Sequence, residues 1–148
     1  MGMILREAEV VYKPGKRIDA PRKIRSSYHA AEVLKGYGLT DKTQEHFVVM
    51  FLNSKHRVLG VQTVAMGSLN EVTVHPREVF RGAILAGAQA VIIAHNHPSG
   101  DPNPSADDKL LTQRLVKAGE LLGIPVLDHI IIGDQDHTSL AEIDPTIF

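Results

Sequence analysis

A chain of 148 residues with 43% hydrophobic and 22% charged residues has the length of one domain and the apolar content to bury roughly two thirds of its unfolded surface, which excludes a wholly disordered protein. Sixteen Lys and Arg against seventeen Asp and Glu leave a net charge of -1, so no global field draws the chain to nucleic acid or anionic lipid. Cysteine is absent, which excludes disulfides, a thiol nucleophile, iron–sulfur clusters and thiolate zinc sites.

The first 25 residues carry Lys13, Lys16, Arg17, Arg22, Lys23 and Arg25, broken by Pro14, Gly15 and Pro21, and read as an extended basic arm (1–25) ahead of a domain at 26–148. Within Met1 to Val11, Arg6, Glu7 and Glu9 stand where a signal peptide would be apolar. No apolar run reaches the ~18 residues of a membrane span, so a soluble, cytoplasmic protein without membrane contact is expected. Ser26 or Ser27 caps a first helix in which Tyr28, Ala31 and Leu34 follow helical spacing until Gly36 and Gly38. Glu45 to Leu52 and Val58 to Val64 are apolar, β-rich runs on either side of a short polar turn, which predicts a hairpin. Val72 to Val74 reads as a third strand.

Pro76 suits the first position of a helix whose apolar face is Val79, Phe80, Ala83 and Ile84, with His75 at its start. Ala90 to Ala94 is a short continuous apolar run, a buried strand leading into His95-Asn96-His97 and a Pro/Gly-rich loop from Pro98 to Pro104. Ser105 caps a helix in which Leu111, Leu115, Ala118 and Leu122 repeat until Gly123 and Pro125. Val126 to Ile132 is another strand, and Ser139 to Ile143 a last one. The order α-β-β-β-α-β-α-β-β predicts an α/β fold, a mixed β-sheet flanked by helices.

With no cysteine, the eight histidines are the candidate transition-metal ligands, and two of them stand at i, i+2. On a strand these face the same side roughly 7 Å apart, and curling at the strand end brings both imidazoles within ~2.0–2.2 Å of one ion. Asp108, eleven residues after His97, returns to the same point if the loop folds back over the strand end. Two His and a carboxylate with a fourth position open form a hydrolytic zinc arrangement. Ser105-x-x-Asp108 is equally a helix capping box that needs no metal.

H-x-H, seven residues, then S-x-x-D matches the JAMM motif of MPN-type metalloproteases. The string HPREVFRGAILAGAQAVIIAHNHPSGDPNPSADD, followed by LGIPVLDHIIIG, more closely resembles the RadC family over Ser26 to Glu142. The resemblance implies the three-layer, cytidine-deaminase-like architecture of JAMM/MPN domains. It makes His95, His97 and Asp108 ligands of Zn2+ and Ser105 a donor to the bound water or the developing oxyanion. It also calls for a glutamate at the start of the first strand as general base; Glu45 stands there, with Glu71 and Glu78 as rivals. The implied activity is hydrolysis of a peptide or isopeptide bond in a protein or peptide substrate, although ligand spacing does not distinguish these from a phosphoester. Asp128 and His129 read as structural hydrogen-bonding residues, with support of the zinc site as the alternative.

Zinc nucleobase deaminases need cysteine ligands and are excluded. H-E-x-x-H, G-x-x-x-x-G-K-[ST] and a helix-opening G-x-G-x-x-G are absent. The HNH of nucleases comes from separated parts of a ββα unit, not from a tripeptide. RadC-like proteins carry a DNA-repair label, and the arm from Lys13 to Arg25 offers charges for phosphates, so nucleic-acid binding is the alternative function. Longer members have an N-terminal helix-hairpin-helix region, for which there is no room before Ser26. A non-catalytic MPN interaction module is the third reading. A free sheet edge leaves a homodimer open.

Overall fold

A computed structural model of the chain describes residues 1–9, 11–69 and 73–148. Ser26 caps helix α1 (Ser27–Tyr37) by accepting from the His29 N–H, and Gly38, at φ 103°, ends it in the left-handed conformation that favours glycine. A 3-10 turn at Leu39–Asp41 leads toward strand β1 (His46–Leu52), which pairs antiparallel with β2 (Val58–Met66). The hairpin turn is organised by Asn53, whose Oδ1 accepts from the Lys55 and Arg57 N–H groups. His75 caps helix α2 (Pro76–Leu85) with its Nδ1, and strand β3 (Ala90–Asn96) follows. Helix α3 (Ala106–Leu122) ends at Gly123, then come β4 (Val126–Ile132), β5 (His137–Ser139) and a short helix α4 (Leu140–Ile143).

The five strands form one sheet in the order β2-β1-β3-β4-β5, antiparallel throughout except for the parallel pair β3 and β4. Alternation along the strands divides the core into two. Val48, Met50, Ala90, Ile92 and Ala94 face α1, packing on Ala30, Ala31 and Leu34. Phe47, Val49, Val91 and Ile93 face α2 and α3, packing on Val79, Phe80, Leu111 and Leu115. The molecule is therefore the expected three-layer α/β arrangement, with a helix on one face of a mixed sheet and two on the other. Among the described residues, no helix is long and apolar enough to cross a membrane.

Two expected strands differ. Val72 lies outside the described residues, while Thr73 and Val74 adopt turn and bend conformations, with Val74 buried in the core beside α2. Ser139 to Ile143 is not a strand: β5 ends at Ser139, whose Oγ accepts from the Glu142 N–H and opens α4. Ser139-x-x-Glu142 is a helix-start pattern, and capping outweighs β-propensity in so short a segment. The described residues among 1–25 form no helix or extended strand, yet their end is attached. Arg22 O accepts from the Val58 N–H at 2.8 Å, the Ile24 N–H donates to His56 O at 2.9 Å, and Ile24 is buried.

Candidate metal centre

The parity of β3 decides where the histidines point. Val91 and Ile93 face the α2/α3 side, so His95 continues that row, stacked on Phe47 with ring centroids 6.2 Å apart. His97 follows at the same parity just beyond the strand end. The loop from Pro98 then turns back at Gly100, φ 89°, and passes over Gly133. A Cβ at Gly133 would lie 2.5 Å from Gly100 O and 2.9 Å from Pro102 Cδ, so only glycine allows that passage. The fold-back delivers Asp108, in the first turn of α3, to the two imidazoles.

His95 Nε2 and His97 Nε2 lie 2.9 Å apart, and the Asp108 carboxylate places Oδ1 3.2 Å from the first and Oδ2 3.2 Å from the second. Asp108 also completes the capping box: its N–H donates to Ser105 Oγ at 3.1 Å, and its Oδ2 accepts from the Ser105 N–H at 2.8 Å. Capping and approach to the histidines are thus performed by one carboxylate and do not compete. Ser105 Oγ uses a lone pair for the cap, which leaves its hydroxyl proton to donate elsewhere.

The remaining ring nitrogens define the tautomers. His97 Nδ1 is 2.7 Å from Asp101 O, a carbonyl that only accepts, so Nδ1 carries a proton and the lone pair of the neutral ring is on Nε2. His95 Nδ1 is 2.8 Å from His129 Nε2. Burial lowers the pKa of His129 well below its ordinary value. The pKa of His97 is raised, chiefly by its hydrogen bond to Asp108 and against the opposing effect of burial. Burial pushes the Asp108 carboxyl up, but the two imidazoles against it, those of His95 and His97, outweigh that effect and hold the group well below the usual carboxylate range.

Two imidazole nitrogens 2.9 Å apart, each 3.2 Å from one oxygen of the Asp108 carboxylate, fit one small cation, since ligands on a tetrahedral zinc at ~2.0–2.1 Å stand roughly 3.3 Å from one another. Without a cation or a shared proton, lone pairs would face each other across these distances. Glu45 brings a carboxylate oxygen to the same place: Glu45, His95 and His97 each offer a ligand atom, all within 4.8 Å of one another. Glu45 stands immediately before β1, half-buried, with Oε2 accepting from the Leu69 N–H at 3.3 Å. Of its rivals, Glu78 lies on α2 in an exposed ion pair with Arg81, and Glu71 is outside the described residues. A crevice of about 240 Å³ opens beside His97, lined by Thr40, Lys42 and Ser99 among others. A larger groove of about 840 Å³, between arm residues such as Tyr12 and strand β2, contains none of these groups.

The model of the RadC-like JAB domain matches residues 24–144, most of the chain. This chain belongs to the RadC family. Among RadC relatives, the UPF0758 protein of Desulforamulus reducens is 55% identical over 102 residues, which cover 69% of this chain and 45% of that protein. Those of Staphylococcus haemolyticus and Bacillus licheniformis are 58% and 53% identical, over 70% and 80% of this chain and 46% and 53% of theirs. The chain thus spans about half the length of the curated relatives it matches.

This RadC chain also uses residues that sequence reasoning passed over. Asn96, buried between the two histidines, accepts from the His46 N–H with Oδ1 at 2.7 Å and donates from Nδ2 to Gln44 O at 3.1 Å. It therefore grips the backbone on both sides of Glu45. Thr112 is fully buried one helical turn after Asp108, and its Oγ1 is 2.6 Å from His129 Nδ1. For Thr112 the only signal was a polar residue on the apolar face of α3. Of the other histidines, His29 Nδ1 accepts from the Arg25 N–H, His46 Nδ1 meets Gln44 O, and His137 Nε2 meets Ser27 Oγ on α1.

Proposed function

We propose that this chain is a zinc-dependent hydrolase of the JAMM type that cleaves a peptide or isopeptide bond. One observation carries the reading: two imidazole lone pairs and a carboxylate converge within 2.9–3.2 Å, with a second carboxylate, Glu45, beside them. His95, His97 and Asp108 would hold the ion, and Glu45, the more distant carboxylate, remains for proton transfer. When bound, zinc supplies Lewis acidity, lowering the pKa of a water toward ~7 and polarising a carbonyl.

The chain's own groups account for the rest. Glu45 takes a proton from the attacking water as its oxygen bonds to the carbonyl carbon, and returns it to the leaving nitrogen as the C–N bond breaks. The Ser105 hydroxyl donates to the oxyanion, held in place by the cap that its own Oγ forms with the Asp108 N–H. Asn96 keeps the Glu45 backbone from drifting. The choice of peptide or isopeptide over other bonds follows from family resemblance alone.

The test is elemental analysis of protein purified without a histidine tag, followed by screening of peptide and isopeptide libraries. About one zinc per chain is expected in the wild type, lost in His97→Ala and Asp108→Ala and kept in Glu45→Gln, which should cut turnover by roughly 10²–10⁴-fold. Full metal in His97→Ala would break the ligand assignment, and undiminished turnover in Glu45→Gln would remove the base.

A further inference from the structure

Behind His95 lies a closed circuit of hydrogen bonds joining β3, β4 and α3. His95 Nδ1 meets His129 Nε2 at 2.8 Å, His129 Nδ1 meets Thr112 Oγ1 at 2.6 Å, and Thr112 Oγ1 meets Asp108 O at 2.6 Å. The protons on this path can be ordered from its one fixed end. Asp108 O is a carbonyl and only accepts, so the single hydroxyl proton of Thr112 lies toward it; two oxygens 2.6 Å apart with no proton between them would repel. Thr112 Oγ1 therefore accepts from His129, which places a proton on His129 Nδ1. A neutral His129 then has a lone pair on Nε2, and His95 must donate to it from Nδ1. On a neutral His95 what remains is the Nε2 lone pair, aimed at His97 and Asp108. His95, His129 and Thr112 are all buried, so water cannot substitute for any member.

We infer that His129 and Thr112 are positioning residues that lock His95 in its Nδ1–H form, presenting the Nε2 lone pair to the metal before the metal arrives. The circuit starts and ends on residues of the proposed centre: the Asp108 backbone sets the proton order, and the Asp108 carboxylate meets the nitrogen that the order exposes. Its consequence for metal binding rests on the zinc reading above, whereas the tautomer is a property of the metal-free chain. A histidine whose tautomer is not fixed divides its population between two forms, only one of which binds through Nε2, and its ring is free to turn.

The experiment is long-range ¹H–¹⁵N NMR of the histidine rings in the chelator-treated full chain at neutral pH, with zinc titration of the wild type, Thr112→Val and Thr112→Ser. His95 and His129 should both show a protonated Nδ1 and an unprotonated Nε2. Thr112→Val keeps the shape but removes the hydroxyl, so the Nδ1–H signature of His95 should weaken and zinc affinity should fall by roughly 10–100-fold, with Thr112→Ser restoring both. A protonated Nε2 on wild-type His95, or wild-type affinity in Thr112→Val, would overturn the inference. Equal losses in Thr112→Val and Thr112→Ser would assign the effect to packing and overturn it as well. No zinc uptake by a wild type whose His95 is nonetheless in the Nδ1–H form would overturn the metal reading and support the tautomer assignment.

Discussion

Asn96 shows how a residue can lie between two candidate ligands in the chain and serve a third group. Its amide bridges Gln44 O and the His46 N–H, standing in for strand pairing just where β1 begins, and the carboxylate of Glu45 hangs from the backbone between them. Asn96→Ala should cost about 1–2 kcal/mol in urea denaturation, from two lost hydrogen bonds and a vacated buried volume. Under the hydrolase reading, turnover should fall while zinc content is kept; loss of zinc instead would show that Asn96 supports the ligands and not Glu45. Ser105 is a second residue with two tasks. Ser105→Ala should remove the α3 cap, at about 1 kcal/mol, and slow turnover beyond what that loss of stability explains.

At the level of elements, β4 carries the decisive irregularity. Val91 pairs with Val126 but Ile92 pairs with Asp128, so one extra residue, Leu127, bulges from the strand. Without it, the alternation would turn Asp128 toward α3 and His129 toward α1. With it, His129 comes under His95, and Asp128 lies on the opposite side, where its carboxylate accepts from the His129 and Ala141 N–H groups and from Ser139 Oγ. Burial raises the Asp128 pKa against these hydrogen bonds, which lower it. The folded chain thus binds this proton more tightly than the unfolded one, whose value is near 3.8; the stabilisation is complete below 3.8 and is lost as pH rises through the higher folded value. Asp128→Asn, which keeps an acceptor and adds a donor for Ser139, should flatten that part of the stability profile measured by urea denaturation. A profile unchanged from wild type would remove Asp128 as its source.

For the whole molecule, the proposed centre couples folding, protons and metal. In the metal-free chain His97 and Asp108 form one ion pair, seen from two sides. The raised His97 contributes stability that is complete below 6.5 and lost as pH rises through its folded value. The depressed Asp108 contributes stability present above 3.8 and lost as pH falls through its folded value. Zinc must displace the His97 proton, so its affinity should climb as pH rises past 6.5 and level off once His97 is neutral. Thermal unfolding with zinc and with chelator should therefore differ more above that range than below it. Free zinc at 100 times its dissociation constant would add about 2.7 kcal/mol. A zinc-induced shift independent of pH would place the metal away from His97.

Much of this was legible in the chain itself, because the signals are local. Short apolar runs marked β1, β3 and β4, Ser26, Pro76 and Ser105 announced their helices, and H-x-H with S-x-x-D foretold that His95, His97 and Asp108 would meet. Glu45 was legible only by position relative to the first strand and by family resemblance. Leu140 to Ile143 was misread as strand because a three-residue strand and a four-residue helix are too short for periodicity to separate. The grip of Asn96 on the Glu45 backbone, the bulge at Leu127 and the path from Thr112 through His129 to His95 were decided by tertiary structure alone. Each joins residues at least 17 positions apart, through a strand register or a helix docking that local pattern does not encode. Local chemistry determined which groups the chain could bring to a metal; the packing of α3 across β3 and β4 decided which lone pairs face it.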